Sequence, residues 1–193
     1  MSSTPLQVVR GKRILVGVTG GIAAYKTATI VSKLAQAGAE VTVAMTEAAT
    51  HFITPLTFQA LSARPVYTSA WEHVESKDPQ HISLASSADA AIVAPCTMDA
   101  LAKLATGRTD DIVALILSAI DRRRTPVWLA PSMNSVMWEQ PSTQRNLKQL
   151  AEDGFRFLGP DDGWQACRHV GTGRMSEPEA ILAAIAEHFG PKA

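Results

Sequence analysis

Four short apolar runs, each closed by a turn signal and followed by a helical pattern, constrain this chain most. They lie at residues 13–18, 41–45, 90–94 and 127–130 and end in Thr19-Gly20-Gly21, Thr46, Pro95 and Pro131. Between them the apolar period lengthens. Residues 22–37 place Ile22, Ile30, Val31 and Leu34 on one helical face and stop at Gly38, a common helix terminator. Residues 48–61 read as two helical pieces broken at Pro55, and 135–152 as a helix broken near Pro141, because proline removes a helical N–H. Short helices are predicted at 82–87, 99–105 and 111–120. A helix with Pro at its first turn is predicted at 178–189. Minor strands are predicted at 66–67 and 155–158, a polar loop at 72–80 and a Gly-rich loop at 161–175. Alternating strand and helix without a run of hairpins specify an α/β domain: an open parallel sheet with helices on both faces.

Length and charge bound the rest. A chain of 193 residues suits one domain. Residues 1–11 are expected as a loose tail and 12–193 as the domain. Eighteen basic and 18 acidic residues give a formal net charge of +0. Nothing there builds the basic face that nucleic acid or an anionic membrane requires. No apolar run approaches the roughly 18 residues of a membrane span, and the first ten residues lack a secretory apolar core. Cys96 and Cys167 form no CxxC pair, which argues against a disulfide framework or structural zinc, and a reducing cytoplasm is the simplest compartment.

In an open α/β sheet, ligands bind beyond the carboxyl ends of the strands, so the turns after the apolar runs carry the candidate chemistry. In Gly17-Val18-Thr19-Gly20-Gly21-Ile22-Ala23-Ala24, glycines let backbone N–H groups approach a phosphate at a helix N-terminus. A Walker A loop would need Gly before Lys26-Thr27, where Tyr25 stands. The dinucleotide fingerprint fails on spacing, and its ribose-binding acid is replaced by Thr46. A mononucleotide such as FMN is preferred over NAD, against the alternative of a plain tight turn. Ala94-Pro95-Cys96-Thr97-Met98-Asp99-Ala100 repeats the geometry, with Thr97 a good cap and a possible donor to a flavin or phosphate. Cys96 reads as a small buried hydrophobe.

Pro131-Ser132-Met133-Asn134-Ser135-Val136-Met137-Trp138 places one amide among Met and Trp side chains. Asn134 is either an orienting group in an apolar pocket or only the cap of the next helix. His81 is a lone histidine before a core strand. The others, at 51, 73, 169 and 188, show no metal-ligand spacing. Gly163 to Met175 is either a surface loop or a lid over a substrate. Within it, Cys167 stands beside Arg168 and His169, a setting that favours proton exchange at a thiol.

Taken in order, these segments resemble the flavin-dependent cysteine decarboxylase family over about residues 11–189. The resemblance also includes Met45-Thr46-Glu47-Ala48-Ala49, Phe52-Ile53-Thr54-Pro55-Leu56, His81-Ile82-Ser83-Leu84-Ala85 and Gly171-Thr172-Gly173-Arg174-Met175. It implies a Rossmann-like (flavodoxin-like) sheet and FMN held by Gly20, Gly21, Ile22 and Thr46, by Thr97, Met98, Asp99 and Ala100, and by Ser132 near the ring. It implies His81 as catalytic base, Asn134 orienting the substrate carboxylate, and Cys167 as proton donor on a flap spanning 163–175. Met137, Ala166, Arg174 and Met175 would complete the substrate site. The implied reaction, in coenzyme A biosynthesis, is oxidative decarboxylation of 4'-phosphopantothenoylcysteine to 4'-phosphopantetheine.

The chemistry explains the cofactor. A β-thiol amino acid loses CO₂ poorly because the developing carbanion has no electron sink, and oxidation of the thiol by a flavin creates one. The family assembles as trimers, often as dodecamers, with FMN near a subunit interface. Most bacterial members are fused to the ligase that makes the substrate, so here that ligase is expected on another polypeptide. Two positions depart from the family pattern: Met98-Asp99 replaces Ala-Asn, and Arg168 replaces a glycine after the flap cysteine. Other family activities are decarboxylation of a C-terminal peptidyl-cysteine and non-catalytic regulation. His81 and Cys167 weigh against the latter, and the flap against a flavin prenyltransferase.

Overall fold

The computed structural model describes residues 6–72 and 79–191. Most of the polar loop expected at 72–80 falls outside them. Six parallel strands form one sheet: β1 (Arg13–Val18), β2 (Glu40–Met45), β3 (Val66–Tyr67), β4 (Ala90–Cys96), β5 (Val127–Pro131) and β6 (Arg156–Phe157). Their order is β3-β2-β1-β4-β5-β6, the doubly wound order of Rossmann-type sheets. The chain therefore reverses its winding between β1 and β4, which are direct neighbours (Ile14 opposite Ala90, Val16 opposite Ile92).

The central strands are apolar throughout because both faces are covered. Ile14, Val16 and Val18 pack into one core with α1 (Ala24–Gln36) and α9 (Pro178–Phe189). Leu15 on the same strand packs into the other core, with Leu101 and Leu104 of α5 (Met98–Thr106) and Ile112 and Ile116 of α6 (Ile112–Ser118). This is the two-residue alternation of a strand with a core on each side. Proline sets the remaining breaks: α2 (Glu47–Thr50) and α3 (Pro55–Ser62) separate before Pro55, and α7 (Ser135–Glu139) and α8 (Pro141–Glu152) separate at Gln140. β4 continues past Pro95 to Cys96, with a register shift against β5 where the proline supplies no N–H. α4 (Gln80–Ser87) starts two residues before the helix predicted from the sequence.

Two expectations are corrected. Part of the segment expected as a tail at 1–11 is packed: Leu6–Val9 forms a 3-10 turn whose Val9 is fully buried in the first core, because apolar burial outweighs the freedom of a loose segment. The loop drawn at 161–175 is an antiparallel hairpin, β7 (Asp161–Trp164) and β8 (Val170–Arg174). Its glycines hide the alternation that marks a strand. Gly173 has φ +136°, and a Cβ there would lie 2.2 Å from the Met133 carbonyl oxygen. Without one, β8 approaches closely enough for Met133 N–H to donate to Gly173 O at 2.9 Å. Among the described residues no helix is long and apolar enough to cross a membrane.

Candidate functional site

A cavity of about 970 Å³ opens where the winding reverses, at the carboxyl ends of β1, β2, β4 and β5. Its floor is the turn after β1. There Gly21 N–H donates to Thr19 O and Ala24 N–H to Gly21 O, so α1 starts at Ala24, two residues later than the sequence suggests. A Cβ on Gly20 would come within 2.5 Å of the Ala48 Cβ, so glycine lets this turn rest on α2. Gly21 differs: a Cβ there would meet only ordinary contacts, with Thr97 and Pro95. Its missing side chain leaves room for a ligand instead.

Thr19, which sequence reasoning gave no role, locks this turn to the neighbouring one. Its buried hydroxyl donates to Pro95 O at 2.7 Å and accepts from Thr97 N–H at 3.1 Å. Thr46 and Thr97 cap α2 and α5 by accepting from the N–H groups of Ala49 and Ala100. Each keeps a hydroxyl proton to donate. Gly20, Gly21, Ile22, Thr46, Thr97, Met98 and Asp99 all line the cavity. Ala100 does not: it turns into the core at 8% exposure, and its N–H belongs to the Thr97 cap.

The opposite wall is the loop after β5. Ser132 N–H donates to Cys96 O at 3.0 Å, stapling this loop to the end of β4. Asn134 caps the next helix and also lines the cavity. Its Oδ1 accepts from Met137 N–H at 2.8 Å, capping α7, and its side chain lines the cavity beside Met137. The cap fixes Oδ1 toward a backbone N–H and leaves Nδ2 as the group able to donate to a ligand.

The hairpin closes the third side. Ala166, Cys167, Arg174 and Met175 line the cavity, together with Trp164 and Gln165, which the sequence reading did not single out. Arg168 at the tip has φ +64°, in the left-handed region that favours glycine. Cys96 is fully buried, and burial pushes its thiol well above the usual thiol range, as suits a small hydrophobe.

Two lysines, Lys26 buried and Lys103 partly buried, were also missed. Lys26 Nζ reaches Met175 O and a Glu177 carboxylate oxygen, both at 3.1 Å. Arg174 pairs with the same carboxylate. Lys103 Nζ lies 3.0 Å from Asp111 and 3.2 Å from both Asp99 and Asp110. Burial alone would lower its ammonium, but these carboxylates more than reverse that and hold it above the usual lysine range. Lys26 shows no local sequence signal, because its partners lie about 150 positions away, whereas Lys103 had one in Asp99 four residues before it.

His81, like Ala100, is a predicted site residue that does not line this cavity. It lies half-buried on α4, outside the lining residues. Tyr25, Leu56, Trp71 and Ile82 are large apolar side chains left exposed.

The flavoprotein family's sequence profile matches residues 2–190. The chain belongs to the flavoprotein family. Among its relatives in that family is the coenzyme A biosynthesis bifunctional protein CoaBC of Bacillus subtilis (strain 168), 44% identical over 182 residues, 94% of this chain and 44% of that protein. The flavoprotein chain thus spans less than half the length of that curated relative. Among solved structures, a cysteine-to-serine mutant of PPC decarboxylase complexed with pantothenoylaminoethenethiol superposes with a TM-score of 0.84 at 30% identity, over 93% of this chain and 99% of that one. The FMN-dependent cysteine decarboxylase SpaF superposes with a TM-score of 0.79 at 26% identity, over 94% and 98%.

Proposed function

We propose that this chain is an FMN-dependent decarboxylase converting 4'-phosphopantothenoylcysteine to 4'-phosphopantetheine. The observation that carries the reading is one cavity walled by the Thr19–Gly21 turn, by Asn134 and by the hairpin bearing Cys167. The resemblance to PPC decarboxylase supports it across the domain, and that to SpaF supports FMN.

The residues fit the cofactor. The cavity is at the upper end of ligand-pocket volumes, roughly 300–1,000 Å³. The side-chain-free Gly21 opens its floor, and the N-terminal end of α1, with the amides of the turn that leads into it, suits a phosphate. Thr46 and Thr97 add hydroxyl donors. Lys103 is held by three carboxylates, so phosphate recognition falls to these amides and hydroxyls. When bound, FMN supplies a reversible two-electron acceptor for the substrate's thiol-bearing carbon.

The chain's own groups do the rest. Asn134 Nδ2 donates to the substrate carboxylate and holds it for departure. Cys167 Sγ–H gives its proton to the carbon left after CO₂ loss, and solvent reprotonates the sulfur. The hairpin excludes bulk water. The His81 imidazole takes the substrate thiol proton in the cavity of a neighbouring copy. That role requires a homo-oligomer, a trimer or a dodecamer packed from trimers, in which the apolar surface around Trp71 and Ile82 is covered. The ligase that makes the substrate then acts upstream.

The test is CO₂ release by purified protein from 4'-phosphopantothenoylcysteine, with released cofactor weighed by mass spectrometry. FMN and stoichiometric CO₂ are expected. Turnover only with a peptide ending in cysteine would reassign the substrate, and a dinucleotide would overturn the cofactor.

A further inference from the structure

Gln165 is buried at 7% exposure in a hairpin tip whose next four residues, Ala166 to His169, are exposed. Its side chain uses its whole hydrogen-bonding capacity. Oε1 accepts from Ser135 N–H at 3.3 Å and from the Cys167 thiol at 3.5 Å. Nε2 donates to Gly171 O at 3.2 Å and to Thr172 O at 3.1 Å. Its main chain closes the turn, donating to His169 O and accepting from Arg168 N–H, both at 2.9 Å. One amide therefore touches both arms of the hairpin, the thiol at its tip and the residue next to Asn134.

We propose that Gln165 is a positioning residue that holds the Cys167 thiol by its proton and yokes it to the Asn134 loop. This rests on the decarboxylase reading above. In that reading Asn134 and Cys167 serve two ends of one small reacting group, yet they stand on different elements. A thiol rotates freely about its Cα–Cβ bond, and a proton donor contributes only when held near its acceptor atom. Gln165 restricts that rotation and sets the thiol's distance from the Asn134 wall. It accepts the S–H as a neutral carbonyl, so the proton stays on sulfur until the substrate carbon takes it. The sulfur is left as a thiolate facing the exposed tip, where solvent returns the proton.

The experiment compares Gln165→Leu and Gln165→Glu with the parent holoprotein by the rate at which iodoacetamide alkylates Cys167. The chain's other thiol, Cys96, is fully buried, and peptide mass mapping assigns the site. Leucine keeps the bulk and removes the contact with sulfur. Glutamate keeps that contact but makes it anionic and loses the bonds to Gly171 and Thr172. If Gln165 merely stiffens the hairpin, both variants loosen it and both alkylate faster. If it holds the thiol, the two move in opposite directions. The leucine variant becomes several-fold faster, and the glutamate variant becomes slower than the parent because a carboxylate disfavours the thiolate beside it.

Any other ordering overturns the proposal. The leucine variant is also expected to end a larger share of turnovers as the oxidised enethiol. A parent that releases no CO₂ would refute the decarboxylase reading, while the alkylation order would still decide the contact between Gln165 and Cys167.

Discussion

Lys26 Nζ lies 3.1 Å from the carbonyl oxygen of Met175, so the helix that follows the turn after β1 grips the base of the hairpin. The two residues are 149 positions apart in sequence. The grip is reinforced by Glu177, which Lys26 shares with Arg174. The floor of the cavity and its hairpin wall are thus parts of one polar assembly.

Replacing Lys26 with Met keeps the aliphatic stem and removes the donor. The buried Met175 carbonyl then lacks its partner, an omission that typically costs about 1–3 kcal/mol. Urea unfolding is expected to show a loss in that range with an unchanged slope. An equally stable variant would show that water replaces the ammonium without cost.

His81→Asn is expected to retain bound FMN, because His81 lies outside the residues that wall the cavity. Turnover should fall by ~10²–10⁴, since an imidazole exchanges protons near neutral pH and an amide does not. Absorbance of bound flavin and CO₂ release measure the two separately. Near-parent turnover would make His81 structural.

Cys167→Ser should divide the reaction. In the proposed reaction, oxidation and CO₂ loss use Asn134 and His81, neither on the hairpin, whereas the final protonation needs a donor over the substrate. A hydroxyl is a far weaker acid than a thiol. The variant should release CO₂ and accumulate a product two hydrogens lighter than the parent's, seen by mass spectrometry. Formation of the saturated product at the parent rate would remove Cys167 from the chemistry.

Arg168 occupies a left-handed conformation that only glycine adopts without penalty. Arg168→Gly should therefore raise stability by about 0.5–1 kcal/mol after allowing for glycine's looser unfolded chain. Arg168→Ala, equally strained, should be nearly neutral. Thermal melts of the pair separate backbone strain from loss of the guanidinium.

Asp89 gives an acid-side signature. Burial raises its carboxyl, but the Arg13 N–H at 2.8 Å, the Arg13 guanidinium at 3.3 Å and the Lys12 charge outweigh that and hold it below the usual carboxylate range. A group lowered on folding stabilises the fold above its unfolded value, and the contribution fades as pH falls through the folded one. The stability gap between the parent and Asp89→Asn should be full at neutral pH and narrow below about pH 4. A gap that stays constant with pH would deny Asp89 this role.

The sheet could be read from the sequence because its strands are short apolar runs cut off by glycine, proline and threonine, and those signals are local. The turn residues that wall the cavity were legible for the same reason: a ligand site at strand ends is a topological consequence. What escaped was long-range. Gln165 is one polar residue in a Gly-rich stretch, and only the close approach of β8 to Met133 turns that stretch into a hairpin. Lys26 looks like an ordinary helix cation until Met175 and Glu177 fold over it. Thr19 has no distinction until β1 and β4 become neighbours and bring Thr97 against it. His81 belongs to a harder class, since its proposed partner lies on another copy.

The reversal between β1 and β4 also has a thermodynamic consequence. The turn after β1 comes from one half of the chain, and Thr97, Asn134 and the hairpin come from the other. A molecule seated between them is a rivet across a seam that the Thr19 and Lys26 bonds otherwise hold. Anything that binds the folded chain and not the unfolded one stabilises it by mass action. The melting temperature of this protein should therefore track its supply of cofactor, and starvation for flavin would first be felt as a weaker fold.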